Sequence, residues 1–426
     1  MTTDPRQLVP RTDRILSDPR LREALDRLGP VIVKDAVHRA QMAVRSGHLA
    51  PTAVVEAVLR GLPEVATTLV PVLNATGIVI HTNLGRAPLS RSALEAVLVA
   101  AGYVTVEYDI GTGTRAGRGE GAVSALRAAA PGIEAAWVVN NGAAALLLAI
   151  TVLAAGREVV VSRGEMVEIG DGFRLPDLVR CTGARVREVG TTNRTHLTDY
   201  AEALGADTGC ILKVHTSNFK VEGFTSSVGV AELAALGVPV VADIGSGLLE
   251  HDPALPAEPD VQTVSRAGAA AVTCSGDKLM GGPQAGLIFG GSELVERMRR
   301  HPLARAMRVD KLTLAALEAT LRGPATPVQL ALDADPEELR RRCEWIATRT
   351  GGEVVPSEGR VGGGAAPGHV LRGWAVALDI DLAQRLRQHN PSVIGRVERD
   401  RFLLDLRCIP PTEDERLAEA ILACMS

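Results

Sequence analysis

Short runs of apolar and β-branched residues alternate with helix-like segments through the middle of the chain, and this alternation limits the possible folds most. Strands are predicted at residues 137–139, 158–162, 186–189, 210–215, 238–243 and 270–274. Helices are predicted between them, at residues 143–154, 197–204 and 230–236. Such alternation is typical of a mostly parallel α/β sheet covered by helices. Ligands of these sheets bind at the carboxyl ends of the strands.

Composition narrows the class of protein. The chain has 426 residues, of which 46% are hydrophobic and only 3% aromatic, with a net charge of -4. This charge gives no chain-wide case for nucleic-acid or membrane binding. No apolar run reaches the roughly 18 residues of a membrane span, and residues 1–6 do not resemble a signal peptide. The six cysteines lack C-x-x-C spacing, so we expect reduced thiols in a cytoplasmic protein and no metal site.

Changes in composition and in predicted elements along the sequence predict three domains. Residues 1–68 read as a helical N-terminal domain, 69–310 as a large α/β domain and 311–426 as a smaller α+β domain. Residues 1–70 contain ten Lys and Arg against eight Asp and Glu, so this part is slightly basic in an acidic chain. That asymmetry fits a nucleic-acid contact, and it equally fits an ordinary solvated helical face.

Residues 271–286 run from an apolar strand through a polar turn carrying Lys278 to a glycine-rich exit. Desolvating an ammonium group costs several kcal/mol unless the group is paired or used chemically. Desolvation lowers the pKa of a lysine, and the free amine can form an imine with an aldehyde. Pyridoxal phosphate is the aldehyde cofactor that exploits this chemistry. Taken alone, the same turn also fits a surface lysine.

Other polar residues follow the predicted strands in the order that this cofactor needs. Asp243 ends a strand and can hold the positive charge of the pyridine nitrogen. Asn141, Gly142 and Ala143 open a helix directly after a strand, and such a helix start binds phosphate. Ser275 can add a hydroxyl to the phosphate. Each has an ordinary alternative role as a helix cap, a turn former or a strand-end hydroxyl.

Two further sets of residues complete the predicted site. His215 and Asn218 follow a strand and are predicted to contact the cofactor. Arg86 lies in a glycine-containing loop, and Arg305 and Arg308 are three positions apart, which places them on one face of a helix. Guanidinium groups bind oxyanions through two parallel hydrogen bonds. The alternatives are a plain connecting loop and a solvated helix face.

Several long motifs resemble the bacterial selenocysteine synthase family, the L-seryl-tRNA(Sec) selenium transferases. They are SGDKLMGGPQAG at 275–286, NATGIVIHTNLGRAPL at 74–89, LKVHTSN at 212–218, DIGSG at 243–247, GFT at 223–225, RAMRVDKLTLAALEATLR at 305–322 and LVPRTDRIL at 8–16. The resemblance covers nearly the whole chain.

The resemblance implies an aspartate-aminotransferase-like fold (fold type I), with pyridoxal 5'-phosphate on Lys278. It implies that the N-terminal domain docks tRNA(Sec), and that the subunits form dimers assembled into a homodecamer. It also implies that Arg86, Arg305 and Arg308 hold the anionic group of the selenium donor, selenophosphate. The implied reaction eliminates the seryl hydroxyl from the tRNA ester and adds selenium in its place, giving selenocysteinyl-tRNA(Sec).

The chain departs from the family pattern in two places. Residues 115–121 read RAGRGEG where the family usually carries RGSRxxH, so both arginines are present and the serine and histidine are not. Phe219 stands where tyrosine is common. The altered 115–121 segment leaves open a cofactor-binding protein without catalysis. A pyridoxal-phosphate lyase or dehydratase acting on a free small amino acid or amino-sugar phosphate would use the same lysine, aspartate and arginines, and it also stays open.

Overall fold

The computed structural model describes residues 9–170 and 172–425. Contacts between residues divide the chain into two units, Met1–Pro71 and Val72–Ser426. Residues 1–8 of the predicted N-terminal domain, and with them the start of the LVPRTDRIL motif, lie outside the described residues. In the described part of the chain, no helix is both long enough and apolar enough to cross a membrane.

The N-terminal unit is helical, as its sequence predicts. Its α-helices are α1 (Thr12–Leu16), α2 (Arg22–Arg45) and α3 (Val54–Arg60). Helix α2 is interrupted at Gly29, which has a φ of 80°, immediately before Pro30. Proline cannot supply the amide hydrogen that a continuous helix needs, so the break falls where the sequence demands it. Small and branched apolar side chains of the three helices form one buried cluster.

The second unit contains all of the strands described. They are β1 (Val72–Asn74), β2 (Ile78–Ile80), β3 (Tyr108–Asp109), β4 (Thr114–Arg115), β5 (Ala135–Val139), β6 (Glu158–Ser162), β7 (Glu168–Ile169), β8 (Phe173–Arg174), β9 (Arg185–Val189), β10 (Thr208–Val214), β11 (Val240–Gly245), β12 (Ala271–Ser275), β13 (Gly286–Gly290), β14 (Glu353–Gly362), β15 (Ala365–Asp379), β16 (Ser392–Ile394), β17 (Arg396–Glu398) and β18 (Arg401–Asp405).

The helices of the second unit alternate with these strands and then dominate the region after β13. They are α4 (Arg91–Ala101), α5 (Glu120–Ala129), α6 (Gly142–Ala154), α7 (Leu175–Cys181), α8 (Leu197–Ala203), α9 (Val230–Ala234), α10 (Val261–Arg266), α11 (Ser292–Arg300), α12 (Pro302–Ala306), α13 (Lys311–Arg322), α14 (Pro327–Leu332), α15 (Pro336–Thr350), α16 (Leu382–Gln388) and α17 (Asp414–Met425).

A seven-stranded sheet with helices on both faces forms the centre of this unit. Its strand order is β5-β13-β12-β11-β10-β6-β9, and β13 runs antiparallel to both of its neighbours. Alternate residues of each strand point to opposite faces. In β6, Val159 and Val161 pack with α6, α7 and α11, whereas Val160 packs on the other face with residues of α8 and α9. This double burial explains the continuous apolar runs in the sequence.

A second sheet, with the strand order β17-β18-β15-β14-β2, lies in the C-terminal part. Its two longest strands, β14 and β15, form an antiparallel pair that turns at residues 362–364. Helices α15, α16 and α17 cover this sheet with an apolar cluster.

Two segments cross the domain boundary predicted at residues 310 and 311. Strand β2 pairs with β14, so a segment near the start of the unit lies in the C-terminal sheet. Helix α13 buries Leu314 and Leu317 in the same cluster as Val138 and Val272 of the seven-stranded sheet. Burial of apolar side chains, rather than position along the chain, decides where these two elements belong.

Candidate active site

Lys278 lies three residues after β12, at the carboxyl edge of the seven-stranded sheet. Its Nζ would be 3.7 Å from a Cβ built on Gly245 and 3.7 Å from one built on Gly364, so two glycine backbones flank the amine. Among the described residues, nothing makes a hydrogen bond or an ion pair with this amine. Burial lowers the pKa of Lys278; the charges of Asp243 and Asp277 oppose the shift, and that of Arg86 adds to it.

Asp243 lies on β11, the strand next to β12, and is paired with Thr273 across the two strands. The Thr273 hydroxyl donates a hydrogen bond of 2.8 Å to Oδ1 of Asp243. Burial raises the pKa of Asp243, while the Thr273 hydrogen bond and the positive charges of Lys278 and His215 act against the increase. A positive charge bound beside Asp243 would therefore lower its pKa again and favour the ionised carboxylate.

The start of α6 forms a cradle for an anion beside these two residues. The side chain of Asn141 caps the helix by accepting a hydrogen bond of 2.8 Å from the Ala144 N–H. The N–H groups of Gly142 and Ala143 have no hydrogen-bond partner among the described residues. A Cβ on Gly142 would lie 2.5 Å from Ser275 Oγ, so only glycine leaves this hydroxyl in place. Free amides at a helix start bind phosphate.

The two predicted residues after β10 are placed differently. The His215 N–H donates a hydrogen bond of 2.9 Å to the carbonyl oxygen of Asp243, which keeps this histidine beside the site. The Asn218 side chain is exposed and donates to the carbonyl oxygen of Glu168 at 2.9 Å, in the β7–β8 hairpin. Ser217, which the sequence analysis did not single out, lies nearer: its Oγ is 3.3 Å from a Cβ built on Gly364.

Arg86 reaches the site through the residue before the lysine. Its Nη1 forms an ion pair of 2.6 Å with Asp277, whose side chain is buried. Arg86 also has a φ of 64°, a left-handed conformation that non-glycine residues rarely adopt. The strained backbone and the ion pair together fix its guanidinium group near Lys278.

Arg305 and Arg308 line a separate cavity of about 730 Å³, whose lining does not include Lys278 or Arg86. The carbonyl oxygen of Met307, between them, accepts a hydrogen bond of 3.0 Å from the Asn140 N–H, next to the anion cradle. Within one chain the three arginines therefore do not meet at one point.

Glu107 contacts three arginines of this cavity, and the sequence analysis did not identify it. Its carboxylate contacts Arg118 at 3.1 Å, Arg115 at 3.2 Å and Arg308 at 3.7 Å. The hydrogen bond from Arg118 is the largest cause that lowers the pKa of Glu107. One carboxylate therefore contacts both arginines of the altered 115–121 segment. In the sequence, the close spacing of Arg115 and Arg118 is the only feature that could have suggested an acidic partner.

A second lysine lies at the same edge of the sheet. Lys213 of β10 forms an ion pair with Glu165, which also accepts a hydrogen bond of 2.9 Å from the Val214 N–H. Both side chains line a cavity of about 490 Å³ that His215 and Asp243 also line. Among the described residues, no cluster of three or more His, Cys, Asp or Glu could hold a metal ion.

The strand order, with a lysine after β12 and an aspartate on β11, defines the class: an aspartate-aminotransferase-like α/β fold of type I. A solved structure titled "Structure of D-Glucosaminate-6-phosphate Ammonia-lyase" has this architecture. It superposes with a TM-score of 0.57 at 19% sequence identity, over 84% of this chain and 97% of that one. At this identity the likeness concerns the fold alone.

The chain belongs to the L-seryl-tRNA selenium transferase family, whose model matches residues 72–410. A second model, described as selenocysteine synthase N terminal, matches residues 6–45. The L-seryl-tRNA(Sec) selenium transferase of Moorella thermoacetica is 46% identical over 84% of this chain and 82% of its own length. Those of Carboxydothermus hydrogenoformans and Geobacter sulfurreducens are 41% and 43% identical, over 94% of this chain and 94% and 95% of their own lengths.

Proposed function

We propose that the chain converts L-seryl-tRNA(Sec) to L-selenocysteinyl-tRNA(Sec), with pyridoxal 5'-phosphate as cofactor and selenophosphate as selenium donor. The observation that carries this proposal is the Lys278 amine, which is desolvated and has no ion-pair partner among the described residues, with Asp243 on the adjacent strand. Family membership indicates the substrate, because relatives that are 41–46% identical bear this activity in their names.

The residues present fit this cofactor. Asn141, Gly142 and Ala143 offer a capped helix start with two free amides for its phosphate, and Ser275 adds a hydroxyl beside them. Asp243, whose pKa burial raises, would be ionised by the positive charge of the pyridine nitrogen.

Bound pyridoxal phosphate supplies an electron sink that stabilises negative charge on the substrate Cα. Lys278 would hold the cofactor, and its Nζ would be the group that accepts the Cα proton of the substrate. Its lowered pKa keeps the amine available as a base. The glycine backbones at 245 and 364 leave room for the amine, because a Cβ at either position would lie 3.7 Å from Nζ.

Arg86, Arg305 and Arg308 are proposed to bind the selenium donor, because planar guanidinium groups match tetrahedral oxyanions. In one chain Arg86 lies beside Lys278 and the other two line the cavity around Glu107. A clamp of all three then requires a second copy of the chain, which the proposed homodimer provides.

The N-terminal unit is proposed to dock tRNA(Sec). After the break at Gly29, the exposed face of α2 carries Lys34, Arg39 and Arg45, with Asp35 as the acidic residue among them. A helix face of this kind is complementary to a phosphate backbone. His38 on the same face can add a hydrogen bond.

Self-association and location are also part of the proposal. Leu98, Val99 and Tyr103, on α4 and just after it, are at least 70% exposed, and such apolar side chains support a contact between subunits. We propose a dimer at least, assembled into a homodecamer, in the cytoplasm. Light scattering of a Leu98→Glu variant tests the contact: we expect a smaller assembly, and an unchanged mass would exclude this face.

Borohydride reduction of the purified protein tests the central point. We expect mass spectrometry to find the pyridoxyl group on Lys278, and Lys278→Ala to lose both the label and the conversion of seryl-tRNA, by roughly 10²–10⁴-fold. The double variant Glu165→Leu, Lys213→Met, which removes the second lysine together with its partner, is the matched control and keeps the label at Lys278. A label on Lys213 would contradict the assignment, and turnover of free serine in preference to seryl-tRNA would favour a small-molecule lyase.

Substitution of the basic face of α2 tests the tRNA contact in the full chain. We expect Lys34→Ala, Arg39→Ala and Arg45→Ala together to weaken tRNA binding. The slope of log K against log salt should become shallower by about 2–3, since each phosphate group that a basic side chain neutralises adds about one unit to it. The charge-preserving variant Lys34→Arg, Arg39→Lys, Arg45→Lys should bind as the native chain does. An unaltered salt dependence in the alanine variant would rule out this face.

A further inference from the structure

A buried carboxylate that the proposed reaction does not use lines the same cavity as His215 and Asp243. Glu258, between β11 and α10, has a side chain only 1% exposed. Its Oε2 accepts a hydrogen bond of 2.8 Å from the Ala366 N–H and lies 3.4 Å from His215 Nε2. None of the recognised sequence motifs includes this residue.

Two of the groups that contact Glu258 belong to different walls of the site. His215 follows β10 and is tied to the main chain of Asp243. Ala366 follows the three-glycine turn between β14 and β15, in which Gly364 approaches the Lys278 amine. Ala366 itself has a φ of 44°, so its backbone is held in a conformation that costs energy outside glycine. One carboxylate therefore joins the central sheet to the turn of the C-terminal sheet.

The charge of Glu258 fits this linking role. Burial favours its neutral form, but the neighbouring His215 and Ser246 side chains and the Ala366 N–H outweigh burial, and the pKa of Glu258 lies below its ordinary value. An anionic carboxylate 3.4 Å from Nε2 favours the tautomer with a hydrogen on that nitrogen. This contact orients the imidazole ring and leaves Nδ1 as its second polar atom.

We propose that Glu258 is a positioning residue of the cofactor site: it orients the His215 ring and fixes the three-glycine turn against Lys278. The inference rests on the proposed function only in naming the bound cofactor as pyridoxal phosphate. The link itself is a property of the protein without cofactor, because its three members are all protein groups.

Two variants of the full chain separate the two arms of this link. Glu258→Ala removes both, so we expect faster amide exchange in residues 362–368 of the cofactor-free protein and about tenfold weaker binding of pyridoxal phosphate. Glu258→Gln keeps an acceptor for the Ala366 N–H but loses the charge facing His215. For this variant we expect normal exchange in the turn and an altered circular dichroism of the bound cofactor. The exposed Glu250→Gln is the matched control and should change neither.

A double substitution tests the His215 arm. In a His215→Asn background, Glu258→Gln should produce no further change in the circular dichroism of the cofactor, because the ring it orients is gone. Additive changes would overturn the proposal, as would native exchange and native cofactor affinity in Glu258→Ala. If Glu258→Ala does not fold, an unchanged cofactor signal in Glu258→Gln overturns it. Amide exchange in the cofactor-free protein decides the turn arm even if borohydride finds no label on Lys278.

Discussion

Two lysines lie at the carboxyl edge of the same sheet, and the chain treats them in opposite ways. Lys213 on β10 forms an ion pair with Glu165, and both side chains are largely buried. Lys278 beyond β12 is also buried, but no carboxylate of the described residues lies within ion-pair distance of its amine. The first lysine contributes its charge to structure, and the second retains a reactive nitrogen.

The difference teaches how a fold separates a structural cation from a chemical one. A paired ammonium group stays charged and cannot attack a carbonyl carbon. At Lys278 the nearby carboxylate of Asp277 is instead engaged by Arg86, so it is not available as a direct partner for the amine. Desolvation without a partner is what makes this nitrogen a candidate nucleophile.

Breaking the structural pair should have the largest effect on stability. Glu165→Ala leaves Lys213 buried and unpaired, so we expect the free energy of unfolding, measured with urea, to fall by about 3–5 kcal/mol. The double variant Glu165→Leu, Lys213→Met should lose less, because it removes both charges together. If the single and double variants lose the same amount, the pairing does not account for the burial of Lys213.

The reactive lysine should show the opposite behaviour. In the cofactor-free protein Lys278→Ala should be within about 1 kcal/mol of the native chain at neutral pH, or more stable, because it removes an unpaired buried amine. In the native chain the pKa of Lys278 lies below its ordinary value of 10.5. Between the lowered pKa and 10.5, the unfolded chain therefore holds more protons than the native chain. Stability of the native chain therefore rises with pH relative to the variant.

Urea unfolding of both proteins at pH 7 and pH 9.5 measures this relative rise. A difference that stays constant across the two pH values would mean that Lys278 has an ordinary pKa, and the contrast with Lys213 would then be lost.

The two members of the Arg86–Asp277 ion pair should shift the pKa of Lys278 in opposite directions. Arg86→Ala removes a positive charge and frees the negative charge of Asp277, so the pKa of Lys278 should rise. Asp277→Asn should lower it, and the double variant should return close to the native value. The pH dependence of borohydride-trapped labelling by pyridoxal in the cofactor-free protein reports each shift. Shifts of the same sign in both single variants would contradict this electrostatic account.

The smallest effect is expected in the arginine cavity, where the charges are partly exposed. Glu107→Gln removes the carboxylate that engages Arg118 and Arg308, so both guanidinium groups become available to an added anion. We expect several-fold tighter binding of sulfate by calorimetry, with stability and Lys278 labelling unchanged. The exposed Glu120→Gln on the adjacent helix is the control. Weaker sulfate binding in Glu107→Gln would show that Glu107 organises the arginines for anions instead of competing with them.

Much of this architecture could be predicted because it depends on local patterns. Buried parallel strands need continuous apolar runs, so β6 was predicted at its observed bounds and β10 to within two residues. The strands β5 and β9 were also predicted to within two residues. Helix α15 begins at Pro336 and ends before Gly351, two residue types that are common at a helix start and just after a helix end. The lysine turn and the helix start at Asn141 were visible as polar residues following strands.

The sequence by itself determined the α/β class, the helical N-terminal unit and the candidate residues at the strand ends, because those features depend on neighbours along the chain. Only the tertiary structure decided that β2 joins the C-terminal sheet, that Glu107 holds three arginines and that Glu258 meets both His215 and Ala366. Those contacts join residues far apart in sequence. Their partners are chosen by burial and charge once the chain has folded, and no local pattern encodes them.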